Sequence, residues 1–422
     1  MAARQMSPDD GGFVSAPNVL LLAIDSLRAD AVFGNHIATP SADRYASVGA
    51  AFRQAVSTTT STTPSFSSIL TGCYPPKHGV RGLQGYRLSS KLTTMAEAFG
   101  KAGYKTHAEV TGPLLPETGI LRGFEDARHR PGYKVPFFSW RDEVVGRMHS
   151  YVDPWLMLLH IWEVHRPYRA PPDFQKRWDK AGYEASVAAT DEWLVPILEA
   201  AGDNTIVIIT GDHGEDYPDT PWEQKMFRVA RKARAKLKLS KWFPYLDKKF
   251  SGLVVGHGFA LYEHLVRVPL IIAGPGVPHA TVEDQVRHVD LFPTLADLCG
   301  VDIPDGIDGR SLKPLMEGGS LPQEPAYMEA VGVKLEGKRI EGARVPDWKL
   351  LRPGGGRPAL YKLNGGGGPD EKHNVYSRYP EVARPLEEFL ERVRETEVVA
   401  ESGMTGEEEA LVEQHLRDLG YL

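Results

Sequence analysis

Several short stretches put nucleophile, acid and imidazole types at the ends of apolar runs. Ser57–His78 reads STTTSTTPSFSSILTGCYPPKH. Pro64 can open a helix there, because a first helical turn does not use the N–H that proline lacks. A hydroxyl just ahead of it, such as Thr62, then stands at the positive end of that helix, where free N–H groups and the dipole stabilise an oxyanion or an alkoxide. Gly211-Asp212-His213-Gly214-Glu215 follows the run NTIVIIT. Carboxylate oxygen and imidazole nitrogen suit zinc or manganese, and the glycines permit a tight turn. Asp25 follows NVLLLAI, Glu163 and His165 follow DPWLMLLHI, and His257 lies between Gly256 and Gly258. Taken singly, each has an ordinary structural reading. The hydroxyl run is a solvated loop, and Asp25 caps a helix before Ser26-Leu27-Arg28. His165 packs on Tyr168, and His257 is a turn residue.

These residues need elements that bring them together. Asn18–Ile24, Asp153–Ile161 and Asn204–Thr210 are continuous apolar runs, the pattern of strands buried on both faces of a parallel sheet. Residues straight after such strands lie at the carboxyl edge of the sheet, where open α/β sheets bind ligands. His160 lies inside its run and reads as structural. Lys91–Ala102 is an amphipathic helix stopped by Gly103, the strand Tyr104–Val110 follows, and Tyr183–Ala201 is a second amphipathic helix. Residues 113–150 carry no readable element. Asp219–Ser251 is dense in Lys and Arg with interleaved aromatics. It reads as a helical insert, either a solvated helix with an apolar underside or an anion-attracting lid or surface for acidic lipid headgroups. From about residue 325, short apolar runs alternate with Gly354–Gly356 and Gly365–Gly368, which predicts an antiparallel sheet. Pro380–Arg394 is a helix packing on it, and Glu407–Leu422 is a last helix.

At 422 residues the chain can hold one large domain or two. It is 42% hydrophobic and 25% charged, as expected of a soluble globular protein. A net charge of −6 argues against nucleic acid as the main partner. Cys73 and Cys299 offer no disulfide framework. The first residues lack a signal-peptide core, and no apolar run reaches the roughly 20 residues that span a bilayer. A cytoplasmic enzyme is expected, of unspecified oligomeric state.

The segment from Thr62 through Pro64-Ser65 to Leu70-Thr71-Gly72 resembles the signature of the sulfatase family of the alkaline phosphatase superfamily. There Cys or Ser, any residue, and Pro-Ser-Arg precede Leu-Thr-Gly. Asp25, Asp212-His213, His165-Arg166-Pro167-Tyr168, Gly256-His257-Gly258, Asp290 with Pro293-Thr294-Leu295, and Tyr361-Lys362-Leu363 extend the resemblance over most of 17–395. It implies an alkaline-phosphatase-like three-layer α/β sandwich with a mostly parallel sheet over 17–320, a tail over 1–16, the insert at 219–251, and a smaller C-terminal α+β part over 321–422. It places Thr62 as nucleophile. Asp25, Asp212, His213 and the Thr62 oxygen would hold a divalent metal (Zn, Mn, Ca or Mg). Ser65, His165 and His257 would bind substrate, and with Glu163 the histidines could hold a second metal. Asp191 is structural in this pattern. The sequence departs from the family at four places. Thr62 cannot become formylglycine, Phe66 stands at the Arg position, Ser26 replaces the second acid of a frequent pair, and Glu109-Val110-Thr111-Gly112 stands where many sulfatases have Gly-Lys-Trp-His. A plain Thr resembles the phosphodiesterases and phosphoryl-transferring members. The implied reaction is hydrolysis of a phosphate ester, or in second place a sulfate ester, of a small molecule or polymer through a covalent Thr62 ester. The alternatives are a transferase of the same fold and a silent binder of acidic lipids or polymers.

Overall fold

The computed structural model describes residues 16–130, 137–166, 168, 170–177, 182–216, 258–332, 339–364, 368–398 and 404–419, with a short antiparallel pair, β1 (Gln5–Met6) and β2 (Phe13–Val14), inside the expected tail. His257 and the basic segment 219–251 lie outside the described residues.

The apolar runs become β3 (Asn18–Ile24), β7 (Trp155–Ile161) and β8 (Thr205–Gly211), each buried along its whole length. They lie in one sheet with β4 (Ala50–Val56), β5 (Lys105–Val110), β6 (Asp126–His129), β9 (Arg267–Ala273) and β10 (Ala280–Arg287), in the order β10-β4-β9-β8-β3-β7-β5-β6. Only β9 runs against its two neighbours. Pro269, in β9, sits where the β4 pairing slips between Phe52 and Ala55, so its missing N–H falls at a bulge. Alternation along β3 sends Val19, Leu21 and Ala23 into one core and Leu20, Leu22 and Ile24 into the other. Helices cover both faces, which completes the three expected layers. Each fully buried Leu or Ile contributes about 1.5–3 kcal/mol.

Several elements differ from expectation. The helix expected over Lys91–Ala102 begins only at Met95, because Thr94 and Glu97 form a reciprocal cap there. Tyr183–Ala201 is two helices, Tyr183–Trp193 and Val195–Ala201, since Pro196 cannot donate to the first. The unread stretch 113–150 holds β6 and the helix Phe137–Met148. β4 and β10 were not anticipated. In β10 every second residue faces solvent over its first half, which dilutes an apolar signal.

The C-terminal sheet is antiparallel throughout, β11 (Ala326–Ala330), β12 (Ile340–Val345), β13 (Trp348–Pro353), β14 (Ala359–Asn364) and β15 (Gly368–Asp370). β15 occupies the end of an expected glycine turn. The helix Pro380–Glu395 packs Leu386, Phe389, Leu390 and Val393 on Tyr327, Leu350 and Leu360. The last helix, Gly406–Leu419, puts Val412 and Leu416 against Leu83 and Leu115. Glu329 N–H donates to Thr58 O at 2.9 Å, which ties this sheet to the hydroxyl-rich segment. Among the described residues, no helix is long and apolar enough to cross a membrane.

Candidate active site

Register builds the site. Ile24 lies opposite both Ile161 and Gly211, so Asp25 and Asp212 leave adjacent strands at one level, and His160 sits one residue earlier, opposite Ala23. Ser26 has φ 64, the left-handed region unusual for a residue with Cβ. That turn aims the Ser26 N–H at Asp212 Oδ1 (3.0 Å) and lets its hydroxyl donate to Asp25 Oδ1 (2.8 Å). His213 N–H also donates to Asp212 Oδ1 (2.8 Å). A Cβ at Gly214 would lie 1.9 Å from His264 O, so only glycine lets the Asp-His turn approach that backbone.

The expected helix begins at Thr62 rather than at Pro64 and runs to Thr71, because proline is tolerated throughout a first turn whose N–H groups have no intrahelical partner. Thr62 is therefore itself in the first turn. Its Oγ1 lies 3.4 Å from Asp25 Oδ2 and 3.4 Å from His213 Nε2. His213 Nε2 is 3.8 Å from Asp25 Oδ1 and 3.5 Å from Asp212 Oδ2. Asp25, Asp212, His213 and His160 have no exposed surface, and Thr62 is nearly as buried.

His160 corrects the sequence reading. Its Nε2 lies 3.6 Å from Asp25 Oδ2 and has no hydrogen-bond partner among the described residues. Ligand atoms of Asp25, His160 and Asp212 lie within 4.8 Å of one another. His160 Nδ1 is 3.2 Å from Thr111 O and 2.9 Å from Thr111 Oγ1, which makes Nδ1 the protonated nitrogen and leaves the Nε2 lone pair facing the carboxylates. His213 follows the same logic, with Nδ1 2.8 Å from Gly214 O. The ring of Phe66, at the position of the missing Arg, meets His160 edge-on at 5.0 Å between centroids. The signal in the sequence was a lone imidazole one residue from the end of an apolar strand.

Burial and the neighbouring Asp212 push the Asp25 carboxyl well above its ordinary range. Burial works the same way on Asp212, but His213, His160 and two backbone N–H groups outweigh it and hold Asp212 below that range. Burial, with help from the Arg130 charge, pushes His160 down to about 4, so it is neutral at physiological pH. Two imidazoles, two carboxylates and, among the described residues, a His160 Nε2 and an Asp212 Oδ2 without hydrogen-bond partners fit a divalent cation of the zinc or manganese type.

Ser65, expected at the substrate, is committed elsewhere. Its hydroxyl donates to Asp212 O at 2.6 Å, with Ser57 Oγ also 2.6 Å from that oxygen, so it holds the acid-bearing turn in place. His165 is placed by other contacts, with Nδ1 2.6 Å from Arg166 O and its ring edge on Trp162. Glu163 pairs with Arg130 at 2.8 Å. Asp191 accepts from Ser41 N–H (2.8 Å) and Ala42 N–H (3.0 Å), which caps the helix Pro40–Val48. Gly258, the residue after His257, donates its N–H to Thr60 Oγ1 at 3.0 Å.

The sulfatase family model matches residues 17–301, and a model of the N-sulphoglucosamine sulphohydrolase C-terminal region matches 258–396. An ulvan-active sulfatase of Formosa agariphila is 25% identical, over 75% of this chain and 67% of its own. An N-acetylgalactosamine-6-O-sulfatase of Bacteroides thetaiotaomicron is 22% identical, over 93% and 96%. The fold matches a phosphonate monoester hydrolase of Agrobacterium radiobacter with a TM-score of 0.70 and 19% identity, over 90% of this chain and 96% of that one. This chain therefore belongs to the sulfatase family, with an alkaline-phosphatase-like fold, and is an ester hydrolase.

Proposed function

We propose that the chain hydrolyses a phosphoric ester, or in second place a sulfuric or phosphonic one, with Thr62 as nucleophile. The observation that carries this is the Thr62 hydroxyl, in a first helical turn and 3.4 Å from both Asp25 Oδ2 and His213 Nε2. Helix N–H groups and dipole at that position favour negative charge on the nucleophile and on the transferred group. Asp25 Oδ2 and His213 Nε2 are the acceptors within reach of the Thr62 proton. Thr62 Oγ1 bonds to phosphorus or sulfur, the bond to the alcohol oxygen breaks, and the alcohol leaves with a proton. Water then cleaves the Thr62 ester, returns a proton to Thr62 and frees the oxyanion.

Asp25, Asp212, His213 and His160 would hold a divalent cation. Bound there, it would supply Lewis-acid stabilisation of charge on the transferred group. Thr111 fixes the His160 tautomer, and Ser26 fixes both carboxylates. His257 and His165 would bind the nonbridging oxygens. For His257 the support is the Gly258 tie to Thr60, two residues from the nucleophile. The preference for phosphorus rests on the plain threonine, which resembles phosphoryl-transferring relatives and lacks the precursor of formylglycine.

The experiment is a panel of nitrophenyl phosphate, phosphodiester, phosphonate and sulfate, with wild type and Thr62→Val. The substitution keeps shape and removes only the hydroxyl. Expected are metal-dependent phosphate release that Thr62→Val abolishes, and an acid-quenched Thr62 peptide carrying the phosphoryl mass. Turnover retained by Thr62→Val sinks the reading. Turnover of sulfate alone would move the substrate assignment to its second place.

A further inference from the structure

The ion pair of Arg130 and Glu163 stands at the same carboxyl edge of the main sheet, outside the groups placed around Thr62, and commits Glu163 to an arginine rather than to the second metal expected from the sequence. Arg130 follows β6, and its N–H donates to Val110 O at 2.9 Å, beside the Thr111 that orients His160. Glu163 comes three residues after His160 on the next connection. The Arg130 side chain is 5% exposed and that of Glu163 11%. The guanidinium lies 4.8 Å from the Trp140 ring centroid and 5.9 Å from that of Phe137, both buried, which sets its plane.

Their hydrogen bonding is incomplete. Arg130 Nη1 approaches Glu163 Oε1 to 2.8 Å, yet the N–H bonds of Nε and Nη1 are not directed at any acceptor among the described residues. Glu163 Oε2 likewise lacks a donor. A buried guanidinium ordinarily fills its fork, and a buried charged donor left unmade is costly. The pair thus presents unfilled donors and an unfilled acceptor side by side. A second oxyanion would satisfy the arginine but meet the Glu163 charge. A hydroxyl accepts from one and donates to the other.

We propose that Arg130 and Glu163 form a subsite for the leaving group, binding a hydroxyl of a polyol or sugar whose ester is cleaved at Thr62. This rests on the Thr62 hydrolase reading. Discrimination of this kind comes from sites built to bond a substrate hydroxyl, because analogues lacking it leave buried groups unpaired.

The test compares ethyl phosphate with methyl glucoside 6-phosphate, both esters of primary alcohols that differ in neighbouring hydroxyls. The matching sulfates replace them if the panel shows sulfate turnover alone. Wild type is expected to favour the glucoside in kcat/KM by at least about tenfold. Arg130→Lys keeps the charge and removes the unfilled guanidinium donors, so most of that preference is lost. Glu163→Gln keeps the volume and reduces it severalfold, and it decides the matter if Arg130→Lys does not fold. Turnover without preference in wild type, or a preference that survives in the folded variants, overturns the subsite alone. Failure of wild type to cleave either ester overturns the Thr62 reading and the subsite with it.

Discussion

His160 gives the sharpest test of the proposed cation site, because only the structure brings its Nε2 to the carboxylates. The perturbation is His160→Leu, which removes Nε2 and keeps an apolar body against Phe66. A cation present at 100-fold over its Kd stabilises the folded chain by about 2.7 kcal/mol. For 422 residues, at about 2.1 cal/mol/K each, the unfolding entropy is about 0.9 kcal/mol/K, so the wild-type Tm should rise by about 3 °C. Groups that merely orient a ligand are worth about 10–100-fold in metal affinity, so loss of a ligand should cost at least about 100-fold. At the same cation concentration the variant then sits near its own Kd, gains about 0.4 kcal/mol, and moves by under about 1 °C. The assay is thermal unfolding with zinc, manganese, magnesium and calcium in parallel, each Kd set by competition with a chelator. An equal rise in wild type and His160→Leu refutes His160 as a ligand. No rise in wild type with any of the four refutes the cation site itself.

Other consequences follow from buried charge. Lys349, fully buried, donates to Leu261 O (2.8 Å) and pairs with Glu263 (3.1 Å) and Glu371. Burial alone would raise the Glu263 carboxyl, but Lys349 and Arg344 hold it down to about 2. Lys349→Met leaves Glu371 without this cation and Glu263 with Arg344 alone, which should cost about 3–5 kcal/mol in urea unfolding at neutral pH, and a loss under about 1 kcal/mol would refute the network as a fastener. His78 lies under the helix Thr62–Thr71, with Nδ1 accepting from Val80 N–H (3.1 Å) and Nε2 3.0 Å from Ser68 Oγ. Burial, aided by Arg81, pushes it down to about 3, so it stays neutral in the fold while the unfolded chain binds a proton near pH 6.5. Its contribution is therefore complete above about pH 6.5 and lost as pH falls toward 3, amounting to about 2 kcal/mol at pH 5. The drop in urea midpoint from pH 7 to pH 5 should shrink in His78→Gln, and an unchanged drop contradicts this account.

Legibility followed burial. β3, β7 and β8 are covered on both faces, so their sequences are unbroken apolar runs and their carboxyl ends could be located to a residue or two. β4 and β10 lie at or next to the sheet edge and mix Arg, Gln, Glu and Asp into their runs, so periodicity did not reveal them. The helix pair Tyr183–Trp193 and Val195–Ala201 preserves one apolar face across Pro196, which is why it read as a single helix. Partner choice was not legible at all. Nothing local to Glu263 announces that Lys349 and Arg344, more than 80 residues on, will bury against it.

The site divides in the same way. Asp25, Thr62, Asp212 and His213 sit at element ends, the last three with glycine or proline within two residues, and local chemistry exposes such positions to inspection. His160 does not, because its role comes from register. It is one strand away from Asp25, and the same β3–β7 pairing that makes its run apolar also turns it toward the carboxylates. Two of the departures from the family pattern acquire a physical sense from that placement. Phe66, where an Arg is usual, packs on the His160 ring, and Thr111, near the missing Lys and His, fixes its tautomer. An Arg position has thus become packing for one neutral imidazole, and the position of the family's Trp supplies its hydrogen bond. The chain lacks the family's Arg, Lys and His at these positions, and in the proposed site His160 would be a fourth donor to a cation. In the proposed reading a bound cation would carry more of the charge neutralisation, and removal of a single imidazole should be felt strongly.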